Sequence, residues 1–204
     1  MENVPVLRFK GFEDDWERRM LGEYIEDYVE KTTIQNQYPV LTSSQQRGIV
    51  FQEDYFANRQ VTTGNNIGYF VLPKGYFTYR SRSDNGVFRF NRNDLIDNGI
   101  ISYFYPVFKI INGDSDFFLQ LLNSSIDKQV ALVAEGTGQR VLSLKKFKNI
   151  DIVAPNIPEQ NAIGTFFRNL DEIIAAQTER IETLKQHKKG LMQGLFPFAQ
   201  EVFA

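Results

Sequence analysis

The sequence contains no cysteine and a single histidine. These two shortages remove disulfides, thiol catalysis, iron–sulfur clusters, cysteine-based zinc sites and any metal site that needs two imidazoles. His187 stands among Lys185, Lys188 and Lys189, the company of a solvated helix face. No apolar run approaches the roughly 18 residues of a membrane span, and the opening MENVPVLRFKGF lacks the apolar stretch of a secretory signal. The expectation is a cytoplasmic chain with no membrane contact. Phosphate-binding glycine motifs are also missing: no GxxxxGK[ST] loop occurs, and Gly136-Thr137-Gly138 is followed by Val141 where a dinucleotide fingerprint needs glycine. No two prolines are adjacent, so the Pro-Pro-aromatic loop of amino-methyltransferases is absent. Asp114 and Asp116 could hold a hard cation, but carboxylates at a helix N-terminus are favoured by the helix dipole alone. With no catalytic constellation left, the chain is expected not to be an enzyme and to bind no cofactor of its own.

What the chain does have is aromatic bulk, 18 Phe and 9 Tyr in 204 residues, far more than a disordered segment carries. Its net charge of −2 hides an uneven distribution. Residues 1–46 hold nine acids against five bases, whereas residues 47–92 hold seven bases, six of them arginine, against three acids. That basic block is either a solvated face or a surface for an anionic partner.

From Tyr38 to Phe108 short β-type runs are cut by turn residues: YPVLT, GIVF, QVTT, IGYFVL, YFTYR and VFRF. Spacings of this kind predict a sheet, with Asn85-Gly86 as a type I′ hairpin signal. Asp114 or Ser115 can cap a helix through Phe117, Phe118, Leu121 and Leu122, and Ser124 or Ser125 another through Ile126, Val130 and Val133. A strand-like KNIDIVAP ends at Pro155. Beyond it, steps of four and three residues land on Ile163, Phe167, Leu170, Ile174, Gln177, Ile181, Leu184, Lys188, Leu191 and Leu195. Spacing of 3.5 residues kept this long is a coiled-coil signature, which predicts one long helix over residues 159–196. A stripe that long needs a second helix of similar length, so either another chain pairs with it or the helix folds back on its own sheet. The fold class expected is α+β: a β-rich domain with a few helices over residues 1–157, then a long helix and tail over residues 158–204.

Three segments carry a family resemblance: LRFKGFEDDWERRMLGEY (Leu7 to Tyr24), GTGQRVLSLKKFKNIDIVAPNIPEQNAIGTFF (Gly136 to Phe167) and LDEIIAAQTERIETLKQHKKGLMQGLF (Leu170 to Phe196). Together they resemble the DNA-specificity (S) subunit of type I restriction-modification systems. Residues 32–134 belong to the part such a family varies. The resemblance implies sequence-specific binding of double-stranded DNA by a target recognition domain. It places methylation and cleavage, with their S-adenosylmethionine and ATP/Mg, in separate modification and restriction subunits assembled on the spacer helices. The usual subunit has two recognition domains and two antiparallel spacer helices in about twice this length, whereas this chain has one of each. The expected function is a half-subunit that reads one half of a bipartite site and forms a homodimer through its helix. The alternative is an oligomerisation or adaptor protein whose β-rich domain binds protein.

The residues of the basic block suit the first reading. Arginine grips phosphate or reads guanine, and Asn or Gln reads adenine. The DNA-binding candidates are Gln45, Gln46, Arg47, Arg59, Asn65, Asn66, Tyr79, Arg80, Arg82, Asn85 and Arg89, with Gln45–Arg47 and Arg80–Asn85 as the reading loops. Gly138 and Arg140, in the GTGQR run, offer backbone N–H groups and a guanidinium to a phosphate, or form an ordinary turn. Phe9, Phe12 and Trp16 are expected to anchor the N-terminal segment in the core.

Overall fold

A computed structural model describes residues 5–56 and 64–196. In chain order the elements are β1 (Glu17–Met20), a 3-10 turn (Leu21–Glu23), β2 (Ile25–Tyr28), β3 (Leu41–Ser44), β4 (Gly48–Phe51), α1 (Gln52–Tyr55), β5 (Phe70–Pro73), β6 (Phe77–Tyr79), β7 (Arg82–Ser83), β8 (Phe90–Arg92), β9 (Asn98–Ile101) and β10 (Val107–Ile110). Then follow α2 (Ser115–Ser124), α3 (Asp127–Val133), β11 (Arg140–Val141), α4 (Leu144–Lys148), β12 (Asp151–Ala154) and α5 (Ile157–Leu195). The fold is mixed α and β, as the alternation of short β runs and later helical spacing predicts. A four-stranded antiparallel sheet in the order β2-β10-β6-β8 sits at the centre, and β3–β4, β5–β9, β7–β11 and β1–β12 form antiparallel pairs around it.

The aromatic excess goes into the core. Phe77, Tyr79, Phe90, Phe108 and Phe147 are all wholly buried, with Phe90 stacked on Phe147 at 4.5 Å and Phe77 on Phe108 at 5.5 Å between ring centroids. Rings of this size bury enough apolar surface that strands of three and four residues hold together without long ladders. Leu41, Ile49, Leu72, Ile101 and Val107 make a second, smaller cluster under β3, β4, β5 and β9. Of the three expected N-terminal anchors, Trp16 packs against the first cluster, edge-on to Phe117 at 6.3 Å, whereas Phe9 is exposed.

Several expectations needed correction. Asn85-Gly86 does not join two paired strands: β7 takes β11 as its neighbour and β8 takes β6. Gly86 has the positive φ of 77°, but Asn85 does not, so the turn is not type I′; the Asn85 carboxamide oxygen instead accepts from the backbone N–H of Val87 at 3.1 Å. The strand expected at VFRF begins only at Phe90. QVTT lies outside the described residues. Asp114 does cap α2, its Oδ1 accepting from Phe117 N at 2.7 Å, whereas α3 has Ile126, not Ser124 or Ser125, at its N-cap and no side-chain cap.

Two compact units separate after Gly164, and the first turns of α5 belong to the first unit. Glu159 is 1% exposed and pairs with Arg8 through both carboxylate oxygens, at 2.8 and 2.7 Å. Gln160, equally buried, accepts from Asp114 N at 3.1 Å and donates to Pro155 O at 2.8 Å. Asn156 closes the helix start by accepting from Glu159 N at 3.1 Å. The second unit is the rest of α5, on which every described residue from 165 to 196 is exposed. At about 1.5 Å per residue, the 39 residues of α5 make a rod roughly 58 Å long.

Gly164 is where this junction is tightest: an added Cβ would lie 2.1 Å from Asp114 Oδ1 and 2.8 Å from Phe117 N, the two atoms of the α2 cap. Gly164→Ala is therefore expected to destabilise the chain by about 1–3 kcal/mol in urea denaturation, the usual range for overpacking. Gly190→Ala, at a helix position with open space around it, should be neutral or stabilising by up to about 1 kcal/mol.

Candidate nucleic-acid interface

One wall of a cleft is the tip of the β3–β4 hairpin. Ser44 is buried at the end of β3 and its hydroxyl accepts from the backbone N–H groups of Gln46 and Arg47, at 3.2 and 3.1 Å. Gly48, at φ +69°, turns the chain into β4. The turn leaves Gln45, Gln46 and Arg47 exposed at its tip. The opposite wall is the segment from Arg80 to Arg89, which leaves β6, pairs briefly as β7 with β11, and returns into β8. Its conformation is held from within: the Ser83 hydroxyl lies 2.8 Å from Asn85 Oδ1 and 2.7 Å from Val87 O. Tyr55 and Phe56 at the end of α1, Phe104 and Tyr105 from the β9–β10 connection, and Gln139 also line it.

The cleft has a strong charge bias. Arg47, Arg80, Arg82 and Arg89 line it, and Asp84 is the one acid in the lining. Asp84 is moreover engaged, accepting from Gln139 Nε2 at 2.8 Å. Two of the arginines rest on rings, Arg82 4.9 Å from the centroid of Phe104 and Arg47 6.0 Å from that of Tyr55. A guanidinium stacked on a ring keeps its hydrogen-bonding edge free and loses little entropy on binding. Four cations around an open space, with amide side chains between them, can take a polyanion and read flat hydrogen-bonding edges. Among the described residues no group of three or more His, Cys, Asp or Glu could hold a metal ion, and no helix is long and apolar enough to cross a membrane.

Of the residues singled out in the sequence, Gln45, Gln46, Arg47, Arg80, Arg82, Asn85 and Arg89 come together here. Others do not. Tyr79 is wholly buried, with its hydroxyl donating to Leu142 O at 3.0 Å; burial pushes the pKa of that hydroxyl far up, and it is a core residue. Asn66 is buried as well, donating to Asn36 Oδ1 and accepting from Asn36 N, both at 2.8 Å, so its amide ties two loops together. Asn65 is outside the cleft lining, and its Oδ1 accepts from Ile67 N at 2.9 Å. Arg140 is half-buried, donates to Gly136 O and Ala131 O, and lies outside the cleft lining. The GTGQR run is a tight turn closed by two hydrogen bonds between Glu135 and Val141, with Gly138 exposed on it. Arg59 lies outside the described residues. Arg92, counted in the basic block, is structural: burial lowers its pKa, and hydrogen bonds to Asp94 and Asp116 more than reverse that. Sequence reasoning missed Tyr55, Phe104 and Gln139, which reach the cleft from distant parts of the chain and carry no local signal. On α5, Phe167, Leu170, Ile174, Gln177, Ile181, Leu184, Lys188, Leu191 and Leu195 are exposed, while Ile163 packs on the core of the first unit.

Comparison with known proteins bears on both units. The type I restriction enzyme MjaVIII specificity subunit of Methanocaldococcus jannaschii is 25% identical over 213 aligned positions, which take in 96% of this chain and 45% of that protein. The crystal structure of the type I restriction-modification S subunit from M. genitalium superposes with a TM-score of 0.60 at 14% identity, covering 98% of this chain and 49% of the other. A chain from a structural study of complex assembly in a type I R-M system gives a TM-score of 0.53 at 16% identity, covering 93% and 47%. The chain thus spans about half the length of the relatives it matches. Residues 13–186 match the type I restriction modification DNA specificity domain, and this chain belongs to that family.

Proposed function

We propose that the chain is a sequence-specific DNA-binding component of a type I restriction-modification complex, and that its cleft reads one half of a bipartite site in double-stranded DNA. The observation that carries this reading is the convergence of Arg47, Arg80, Arg82 and Arg89 with Gln45, Gln46 and Asn85 on one cleft that holds a single, already engaged acid. Phosphate contacts would position the duplex, and the amide and guanidinium edges would read bases in the major groove. In this reading the chain is non-catalytic. Modification subunits, with S-adenosylmethionine, and restriction subunits, with ATP and Mg, supply the chemistry. The exposed seam of α5 is the surface through which two copies pair, because isolated apolar stripes of this length are covered in functional proteins.

Selection from a randomised duplex pool is expected to return a defined motif, whereas an adaptor that binds protein would enrich none. On the selected sequence, Arg80→Ala and Arg82→Ala should each weaken binding, and at least one should relax preference at a base position by about 1–3 kcal/mol of discrimination. Unchanged affinity in both would remove this loop from the reading surface.

Leu170→Asp or Leu184→Asp should convert the dimer to monomer in sedimentation at micromolar concentration, since an unpaired carboxylate in the seam costs several kcal/mol. A monomer for the unmutated chain would overturn the pairing.

A twofold dimer of one recognition domain reads a twofold site, so the selected motif should be an interrupted palindrome with freely substitutable central pairs. One contiguous, asymmetric motif would instead show that the chain works beside a different recognition chain.

A further inference from the structure

The apolar seam of α5 is broken twice, at Gln177 and Lys188, and the spacing of these breaks constrains what can cover it. We propose that the seam is covered by a second copy of this helix in antiparallel orientation and in one register, with Gln177 of each copy facing Lys188 of the other. The inference rests on the proposed pairing of two copies, in the antiparallel direction that the family resemblance implies, and goes beyond it in fixing the register.

The exposed seam begins after Ile163, which is already packed on the core of the first unit. From Leu170 at 38% to Leu195 at 74%, its apolar members are open to solvent. A parallel pair in register would stack Lys188 on Lys188 once and bring Arg180 beside Lys185 at both flanks, like charge against like in every case. An antiparallel pair avoids both, and its possible registers differ by whole heptads.

In one register Leu170 faces Leu195, Ile174 faces Leu191, Gln177 faces Lys188 and Ile181 faces Leu184, each pairing occurring twice by symmetry. Every apolar residue then meets an apolar one. The two polar residues meet each other, with the Gln177 carbonyl able to accept from the Lys188 ammonium. Phe167 lies beyond the last of these layers. Sliding by a heptad so that Ile174 faces Leu184 sets Leu170 against Lys188 and Gln177 against Ile181, and it directs Leu195 at Ile163, which is occupied. That register gains only a rim contact between Asp171 and Lys185, and exposed ion pairs are worth little. Sliding the other way sets Gln177 against Leu195 and Leu184 against Lys188, with fewer layers. Buried polar groups left opposite apolar ones cost stability, so the matched register wins.

The absence of native cysteine lets introduced thiols report the register directly. Ile174→Cys and Leu191→Cys chains, unfolded and refolded together and then oxidised, are expected to give a disulfide-linked dimer; each chain alone should give none. In the proposed register two copies of residue 174 are about 25 Å apart along the rod, far beyond the roughly 7 Å that a disulfide spans between Cα atoms. A disulfide joining residue 174 of one copy to residue 184 of the other, in an Ile174→Cys plus Leu184→Cys mixture, would instead overturn the register while leaving antiparallel pairing intact. Cross-linking of either single variant with itself would overturn the antiparallel direction. No cross-link in any mixture, together with monomeric sedimentation of the cysteine-free chain, would overturn the pairing itself.

Discussion

Glu159 is buried at the first turn of α5, and a carboxylate there is tolerated only because Arg8 meets both of its oxygens. An unpaired ion in that place would be strongly destabilising, so the N-terminal segment is bound to run past the helix start. Arg8 also donates to Asp14 O, and Asp14 in turn accepts from Asn156. Gln160 extends the same knot to Asp114, and so to the cap of α2. The β1–β12 ladder continues it on the other side, with Glu17 opposite Ala154 and Met20 opposite Asp151. Segments more than a hundred residues apart in sequence are thereby made into one frame.

The cleft stands on different physics. Its walls are a hairpin tip and a looping segment whose backbone groups are satisfied by Ser44 and Ser83, buried and turned inward, and by the carboxamide oxygen of exposed Asn85. Those residues hold the shape, and the long side chains between them are left for contact. Arginines dominate because a planar, permanently charged fork serves both phosphate and base edge, and two of them are steadied by ring faces rather than by acids. The frame uses ion pairs inwardly, and the cleft leaves its charges outward.

Much of the fold class was legible, because β-type runs cut by turn residues and a 3.5-residue repeat are local signals. The long helix was read to within a turn at each end. The strand partners were not legible: β7 pairs with β11 across more than fifty residues, and no local pattern encodes that. Residue type led to the exposed arginines and amides of residues 45–47 and 80–89 that line the cleft, and equally to buried residues that do not. Arg47 and Arg82 look the same in sequence as Arg92, yet Arg92 is spent on Asp94 and Asp116. Tyr79 and Asn66 carry the right chemistry for DNA but are enclosed, and burial is a property of the whole fold.

Because β1 and β12 lie side by side, everything from the turn after Met20 to the residue before Asp151 leaves the frame and comes back to it at adjoining points. Such an excursion presents the same two neighbouring attachment points whatever its length or content, in the way that domain insertions are accepted where chain ends are close together. The arrangement therefore leaves the intervening segment, which carries the cleft, room to vary between fixed ends while Arg8 and Glu159 continue to seat the helix, so long as Asp114 keeps its place against Gln160. A change confined to the cleft walls, on this architecture, leaves that joint untouched.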